Sequence, residues 1–296
     1  MTSRTLKMRQ RTLARKLAEQ RRATDTGEYV RWFHTRDMPG AGIKTRIVCE
    51  KAAADELHLM SEAEHAAFLE AWWRPDVVTI FDQYALDRKK TRRAAASINL
   101  DHPTYSCSRE PAVLSTDLVL VTRSGNSYAR EAWSVKSASP DGTARLTRSQ
   151  AIERRTWLDE GASYKAVTAH GMHANRSKNL AWIFRAVNET VGRALSGEEI
   201  AARRAILRVI RERRPMSMLE ACRTVDRMLA LPAGSGATAF RQLAGEKLVR
   251  FDLEAGDPLQ LRVGDICCCA ARKIGRKQRV EARSGADHAE KSEMAD

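Results

Sequence analysis

The apolar positions in the first half of the chain change period several times, and each change marks an element. In Ser61 to Trp73 (SEAEHAAFLEAWW) they recur at helical spacing behind a serine able to cap the first turn, and Pro75 ends the run. Asp76 to Phe81 (DVVTIF) then reads as a short buried strand. Ser115 to Ser139 (STDLVLVTRSGNSYAREAWSVKSAS) holds two strand-like runs on either side of Ser124, Gly125 and Asn126, which predicts a hairpin. A second helix is expected over about Thr147 to Glu160, with Gly161 behind it and a strand near Tyr164 to Ala169. Helix, strand, strands, helix, strand is the order of a mixed α/β layer.

Near His173 to Asn179 the pattern turns mostly helical. An amphipathic helix spans Gly197 to Arg213 and stops before Pro215, another spans Ser217 to Leu229, and a third, after Pro-Ala-Gly-Ser-Gly, spans Ala237 to Glu246. Two strand-like runs, LVRFDL and PLQLRV, flank Glu254 to Asp257 as a hairpin turn. Three helices and a two-stranded wing predict a winged helix-turn-helix. The expected division is a basic arm over 1–40, an α/β domain over 41–172, a winged-helix domain over 173–266 and a charged, disordered tail over 267–296.

Charge narrows the partner class. The formal net charge is +14 over 296 residues, with a pI near 9.9, which points to a polyanion and to nucleic acid first. Arg4, Lys7, Arg9, Arg11, Arg15, Lys16, Arg21 and Arg22 face a lone Glu19 at the start of the chain, so this arm reads either as a solvated helix or as a DNA contact. Lys89, Lys90, Arg92 and Arg93 form a basic loop suited to phosphate, with Arg109 shortly before Asp117. No run approaches the roughly 18 apolar residues of a membrane span, and no secretory signal is expected. The cysteines (Cys49, Cys107, Cys222 and Cys267 to Cys269) lack CxxC spacing; no disulfide framework or structural zinc is expected, and a reducing compartment is. His170 and His173 read as linker histidines, and Gly234-Ser235-Gly236 as a turn, since no lysine-serine/threonine pair accompanies it.

Candidate chemistry sits in the hairpin. Period-two alternation places Ser134 and Lys136 on the face opposite Trp133 and Val135, and Asp117 begins the preceding strand. The pair reads either as an edge-strand salt bridge or as part of a metal-dependent phosphodiesterase, in which hard oxygen ligands hold Mg²⁺ and an ammonium stabilises charge or orients water. Glu64 is the helical carboxylate that would complete the set. It also fits S-x-x-E with Ser61 as a capping box, although it shares a helix face with Phe68, Ala71 and Trp72.

The runs HLMSEAEHAAFLEAWWRPDVVTIFDQYAL, STDLVLV, WSVKSA and IERRTW, in this order and spacing over residues 30 to 170, resemble the TnsA endonuclease subunit of heteromeric bacterial DNA transposases. The resemblance implies a restriction-endonuclease-like mixed-sheet core followed by a mainly helical winged-helix domain. It implies Mg²⁺-dependent cleavage of 5′ strands at transposon ends, with Mn²⁺ substituting. Glu64, Asp117 and Lys136 take the catalytic positions, and the implied partners are double-stranded DNA, a TnsB-type transposase and a TnsC-type AAA+ ATPase docking on the C-terminal domain, in the bacterial cytoplasm at the nucleoid. One position departs: restriction-type cores usually carry Glu, Asp or Gln two residues before the lysine, where this chain has Ser134. The metal then leans on water, the Val135 carbonyl or another carboxylate. Glu153 is the candidate, with a surface pairing beside Trp157 as its other reading. A free-standing restriction or repair nuclease and a catalytically inactive DNA-binding adaptor remain the rival functions.

Overall fold

A computed structural model of the chain describes residues 10–37, 43–106, 108–136, 146–168 and 174–269. It divides into two compact units, within Met1–Gly171 and within Met172–Gln278. Arg4, Lys7, Arg9, Cys107, His170, His173 and the tail from 270 lie outside the described residues.

The first unit is a mixed α/β layer. In chain order it runs α1 (Gln10–Thr26), β1 (Thr45–Ile47), β2 (Leu57–Leu59), α2 (Glu62–Trp73), β3 (Val77–Ala85), α3 (Arg88–Ser97), β4 (Ser115–Ser124), β5 (Ser127–Lys136), α4 (Arg148–Asp159) and β6 (Ser163–Thr168). The sheet order is β3-β4-β5-β6, antiparallel except for the parallel pair β5-β6. The hairpin forms as expected, closing between Ser124 and Ser127, with Gly125 at φ 60°, a conformation glycine adopts without steric cost. Strands β4 and β5 are interior to the sheet, so Asp117 and Lys136 do not lie on edge strands.

Two parts of the reading change. The basic loop is a helix: Asp87 accepts from the Lys89 and Lys90 amides and nucleates α3, whose buried side is Thr91, Ala94 and Ala95. Three small residues give little periodic signal, so the basic residues between them read as loop. The arm is also more than a solvated helix. Leu13 and Leu17 of α1 enter a core with Trp32, Phe33, Tyr105, Ala112 and Val113, and Lys16 is buried with its ammonium 2.8 Å from Asp37. Arg11, Arg15, Arg21 and Arg22 stay exposed.

The outer edge of β3 is covered by short pairings. The Trp32 amide donates to the Gln83 carbonyl at 2.8 Å, Arg31 bridges Tyr84, and Ala52 bridges Ile80. Beneath this cover Asp82, fully buried, accepts from the Arg31 guanidinium, the Tyr29 hydroxyl and the His58 amide, while Arg31 also reaches the Glu56 carbonyl. The next residue, Gln83, has φ 46°, unusual for a long side chain.

The second unit packs α5 (Ala174–Asn188), α6 (Gly197–Arg211), α7 (Met218–Met228) and α8 (Ser235–Gly245) with a two-stranded ribbon of β7 (Val249–Arg250) and β8 (Cys267–Cys268). Ser196 and Ser217 close capping boxes on α6 and α7. Gly236 is a close approach rather than a phosphate loop, because a Cβ there would lie 2.7 Å from the Cys222 carbonyl, and Asp226 caps α8 by accepting from the Gly234 and Gly236 amides. The ribbon differs from the expected wing. PLQLRV does not pair with LVRFDL: Pro258 has no amide to give a ladder and starts a 3₁₀ turn, whereas Leu261 and Val263 bond to Met218 and Met216. The second strand comes instead from the cysteine run, whose Cys267 is exposed rather than buried, so residues 267–268 belong to this unit and not to a tail.

Replacing Asp82 by alanine strands the Arg31 charge in a buried setting. A loss of about 3–5 kcal/mol in unfolding free energy is expected, measured as a lowered denaturant midpoint at unchanged slope.

Candidate active site

Helix α2 is fixed at both ends, and this sets the place of Glu64. At its start the Ser61 hydroxyl accepts from the Glu64 amide at 3.1 Å. At its end the Lys51 ammonium donates to the Trp72 and Arg74 carbonyls at 2.7 Å each, satisfying C-terminal acceptors with a cation. Arg74 adds a two-pronged pair to Glu131 of β5, at 2.7 and 2.8 Å. The side chains Phe68, Ala71 and Trp72 are buried, and Glu64, only 7% exposed, is buried on the same face. Its capping role is partial. Its Oε2 accepts both from the Met60 amide at 2.8 Å and from Gln83 Nε2 at 3.2 Å, while Oε1 lies 3.4 Å from the Ser61 hydroxyl.

Asp117 stands in β4 just before Leu118, which pairs with Trp133 of β5. One of its oxygens accepts from the Val135 amide at 2.7 Å, and the other lies 3.4 Å from the Gln83 amide nitrogen. That nitrogen is also 3.2 Å from Glu64 Oε2, so a single buried carboxamide from β3 touches both acidic groups. Gln83 is absent from the sequence-based site. Its signal, two consecutive polar residues inside the otherwise apolar VVTIFDQYA, is ambiguous because period-two alternation allows only one of them to face the core side by side with its neighbours, and the positive φ that resolves this is not written in the pattern.

Burial sets the protonation of the pair. It pushes the Glu64 carboxyl up to about 8, with the nearby Asp117 charge as the second cause, and pushes the Asp117 carboxyl up to about 6. Glu153 of α4 is raised as well, by burial and then by Asp117. It is 4% exposed, and its Oε1 has no hydrogen-bond partner. A surface pairing is therefore not its role.

A cavity of about 330 Å³ opens beside these groups, lined in part by Asp117, Ser134, Val135, Lys136, Gln150 and Glu153. Lys136, the last residue of β5, reaches it together with the partly exposed Asp117. Ser134 is buried and accepts from Gln150 Nε2 at 3.1 Å. Gln150 spends its own oxygen on the α4 cap, accepting from the Thr147 amide at 3.0 Å and the Thr147 hydroxyl at 2.9 Å.

The donor set suits a hard divalent cation: carboxylate oxygens meet on a shared amide, and a further buried carboxylate oxygen stands unpartnered beside Asp117. No group of three His, Cys, Asp or Glu side chains is gathered closely enough to hold a metal among the described residues. A cation at Glu64 and Asp117 would thus need amide, backbone or water oxygens to fill its shell. Val135 meets Asp117 through its N–H, while Glu153 approaches Asp117 from α4.

Fold and site together define an α/β protein with an acidic centre and a lysine at the rim of its cavity. Residues 173–253 match the family model described as TnsA endonuclease C terminal. Over 241 residues the chain is 24% identical to the transposon Tn7 transposition protein TnsA of Escherichia coli, covering 81% of this chain and 85% of that protein. The resemblance to TnsA is borne out as a similarity: the chain is similar to that transposition protein over most of its length and to the TnsA C-terminal model over residues 173–253.

Because both carboxyls are raised, folding favours their protonated forms. That contribution to stability is fully present below the unfolded values of 3.8 and 4.5 and is lost as pH rises through about 6 and then about 8. In chelator-containing buffer, Glu64→Gln should gain thermal stability relative to wild type as pH is raised from about 5 to about 8. A difference independent of pH would contradict the burial of an ionisable Glu64.

Proposed function

We propose that this chain is the endonuclease subunit of a heteromeric transposase, hydrolysing the 5′ strands at transposon ends in a divalent-cation-dependent reaction. The observation that carries the reading is the meeting of Glu64 and Asp117 on one amide beside the Lys136-lined cavity, in a chain similar to TnsA over most of its length.

Glu64 and Asp117 hold the cation in this proposal, with Glu153 and the Val135 backbone as neighbouring oxygen donors. Mg²⁺ is the expected ion and Mn²⁺ its substitute; when bound, it neutralises charge developing on the scissile phosphate and acidifies a water. Asp117 is oriented for this by the Val135 amide, which fixes one oxygen and leaves the other turned to Gln83. Lys136 meets the phosphodiester or its attacking water from the cavity side. The exposed basic residues of α3, Lys89, Lys90, Arg92 and Arg93, supply non-specific phosphate contacts.

The finer fold assignments belong to the same proposal. The mixed sheet with acidic residues on β4 and α2 and a lysine ending β5 supports a restriction-endonuclease-like core. Four short helices and a ribbon support a winged-helix relative that docks a TnsC-type ATPase, and strand joining falls to a TnsB-type transposase. The expected setting is the bacterial cytoplasm. Among the described residues no helix is long and apolar enough to cross a membrane.

Asp117→Ala tests the assignment. With the partner transposase and Mg²⁺, wild type should nick the 5′ strands of its element's ends while the variant leaves no detectable 5′ product and keeps its melting temperature. Undiminished cleavage by the variant would remove Asp117 from the site, and efficient cutting by wild type alone would favour a free-standing nuclease.

A further inference from the structure

Ser134 leaves a chemical gap in the proposed site. Its hydroxyl is short, buried and already accepting from Gln150. Gln150 cannot fill the gap with its own oxygen without giving up two bonds of the α4 cap. Among the described residues no three His, Cys, Asp or Glu side chains are gathered to hold a metal, so Glu153, though near Asp117, does not complete a set with Glu64 as they stand. A small cation with near-octahedral demands needs more oxygen than two carboxylates provide.

Gln83 is the remaining side-chain amide at the site, and several independent features set it apart. It is only 3% exposed, and its Nε2 lies 3.2 Å from Glu64 and 3.4 Å from Asp117. Its backbone is held at φ 46°, a conformation strained for a non-glycine residue. The Trp32 amide holds its carbonyl on one side. On the other, Asp82 is locked by Arg31, Tyr29 and the His58 amide. Strain of this kind persists only where the surroundings over-determine it, and here they aim the side chain between two carboxylates.

We propose that Gln83 is a cation ligand of this site, supplying through its side-chain carbonyl the neutral oxygen that Ser134 is too short to give. The inference rests on the metal-dependent reading above. A half-turn about the last side-chain torsion exchanges Nε2 for Oε1 at nearly the same place, so one residue can serve both states of the site: as a donor it joins the two carboxylates, and as an acceptor it faces a cation they share. The exchange needs no backbone movement, and the fixed positive-φ backbone at Gln83 keeps the side chain in position throughout.

The test is calorimetric Mn²⁺ titration of the full chain, with melting temperatures measured alongside, for wild type, Asp117→Ala, Gln83→Leu and Gln83→Glu. Leucine keeps the unbranched Cβ and so the same backbone cost, but offers no oxygen. The expected result is a loss of about tenfold or more in Mn²⁺ affinity for Gln83→Leu and retained or tighter binding for Gln83→Glu, which restores an oxygen with added charge. Affinity in Gln83→Leu equal to or above that of wild type, while Asp117→Ala abolishes binding, would overturn the proposal and leave the metal-dependent reading standing. Should Gln83→Leu fail to fold, weaker binding by folded Gln83→Glu than by wild type would overturn it. No Mn²⁺ binding by wild type would remove both the metal reading and this inference.

Discussion

Two carboxylates, Glu64 and Asp117, share one amide in a poorly hydrated part of the protein, and like charges so placed raise each other's cost of ionisation. No local preference would bring them together; the surrounding structure does. Helix α2 is pinned by Ser61 at its start and by Lys51 and Arg74 at its end, and Asp117 sits on an interior strand whose neighbour donates an amide to it. Gln83 is delivered between them by a positive-φ backbone beside Asp82, which Arg31 holds in place. Each support is worth little if the carboxylates have no common purpose, and a shared cation is the simplest purpose that turns their proximity from cost to use.

The same logic explains where the buried charge lies. The Arg31–Asp82 pair is almost fully removed from water, and such pairs seldom add net stability. Its value is geometric: with Tyr29 and the His58 amide it leaves Asp82 one orientation, which fixes the strand on which the next residue must turn. Lys16 plays a comparable part for α1, where an ammonium enters a core otherwise made by Leu13, Leu17, Trp32 and Phe33.

Elements defined by local periodicity were legible in the sequence. Helix α2 and its cap, the β4-β5 hairpin and α4 fall within a residue or two of where the pattern puts them, and the shared face of Glu64 and Phe68 was visible from helical spacing alone. Features set by distant partners were not. The cysteine run pairs with Val249 and Arg250 across the intervening residues 251–266, a stretch that holds the nearer strand-like PLQLRV, and α3 hides its burial in alanines. Gln83 escaped because its role depends on a positive φ imposed by Arg31 and Trp32, far off in sequence. Ser134, by contrast, announced a missing oxygen directly, and the structure brings that observation and Gln83 into one site.

The most direct test of this account is an anomalous difference map from crystals of the full chain soaked in Mn²⁺. The account predicts a single strong peak coordinated by the carboxylates of Glu64 and Asp117, with the Gln83 amide turned to present its oxygen. A peak elsewhere, or none at saturating Mn²⁺ with the Gln83 nitrogen still bridging the two carboxylates, would contradict it.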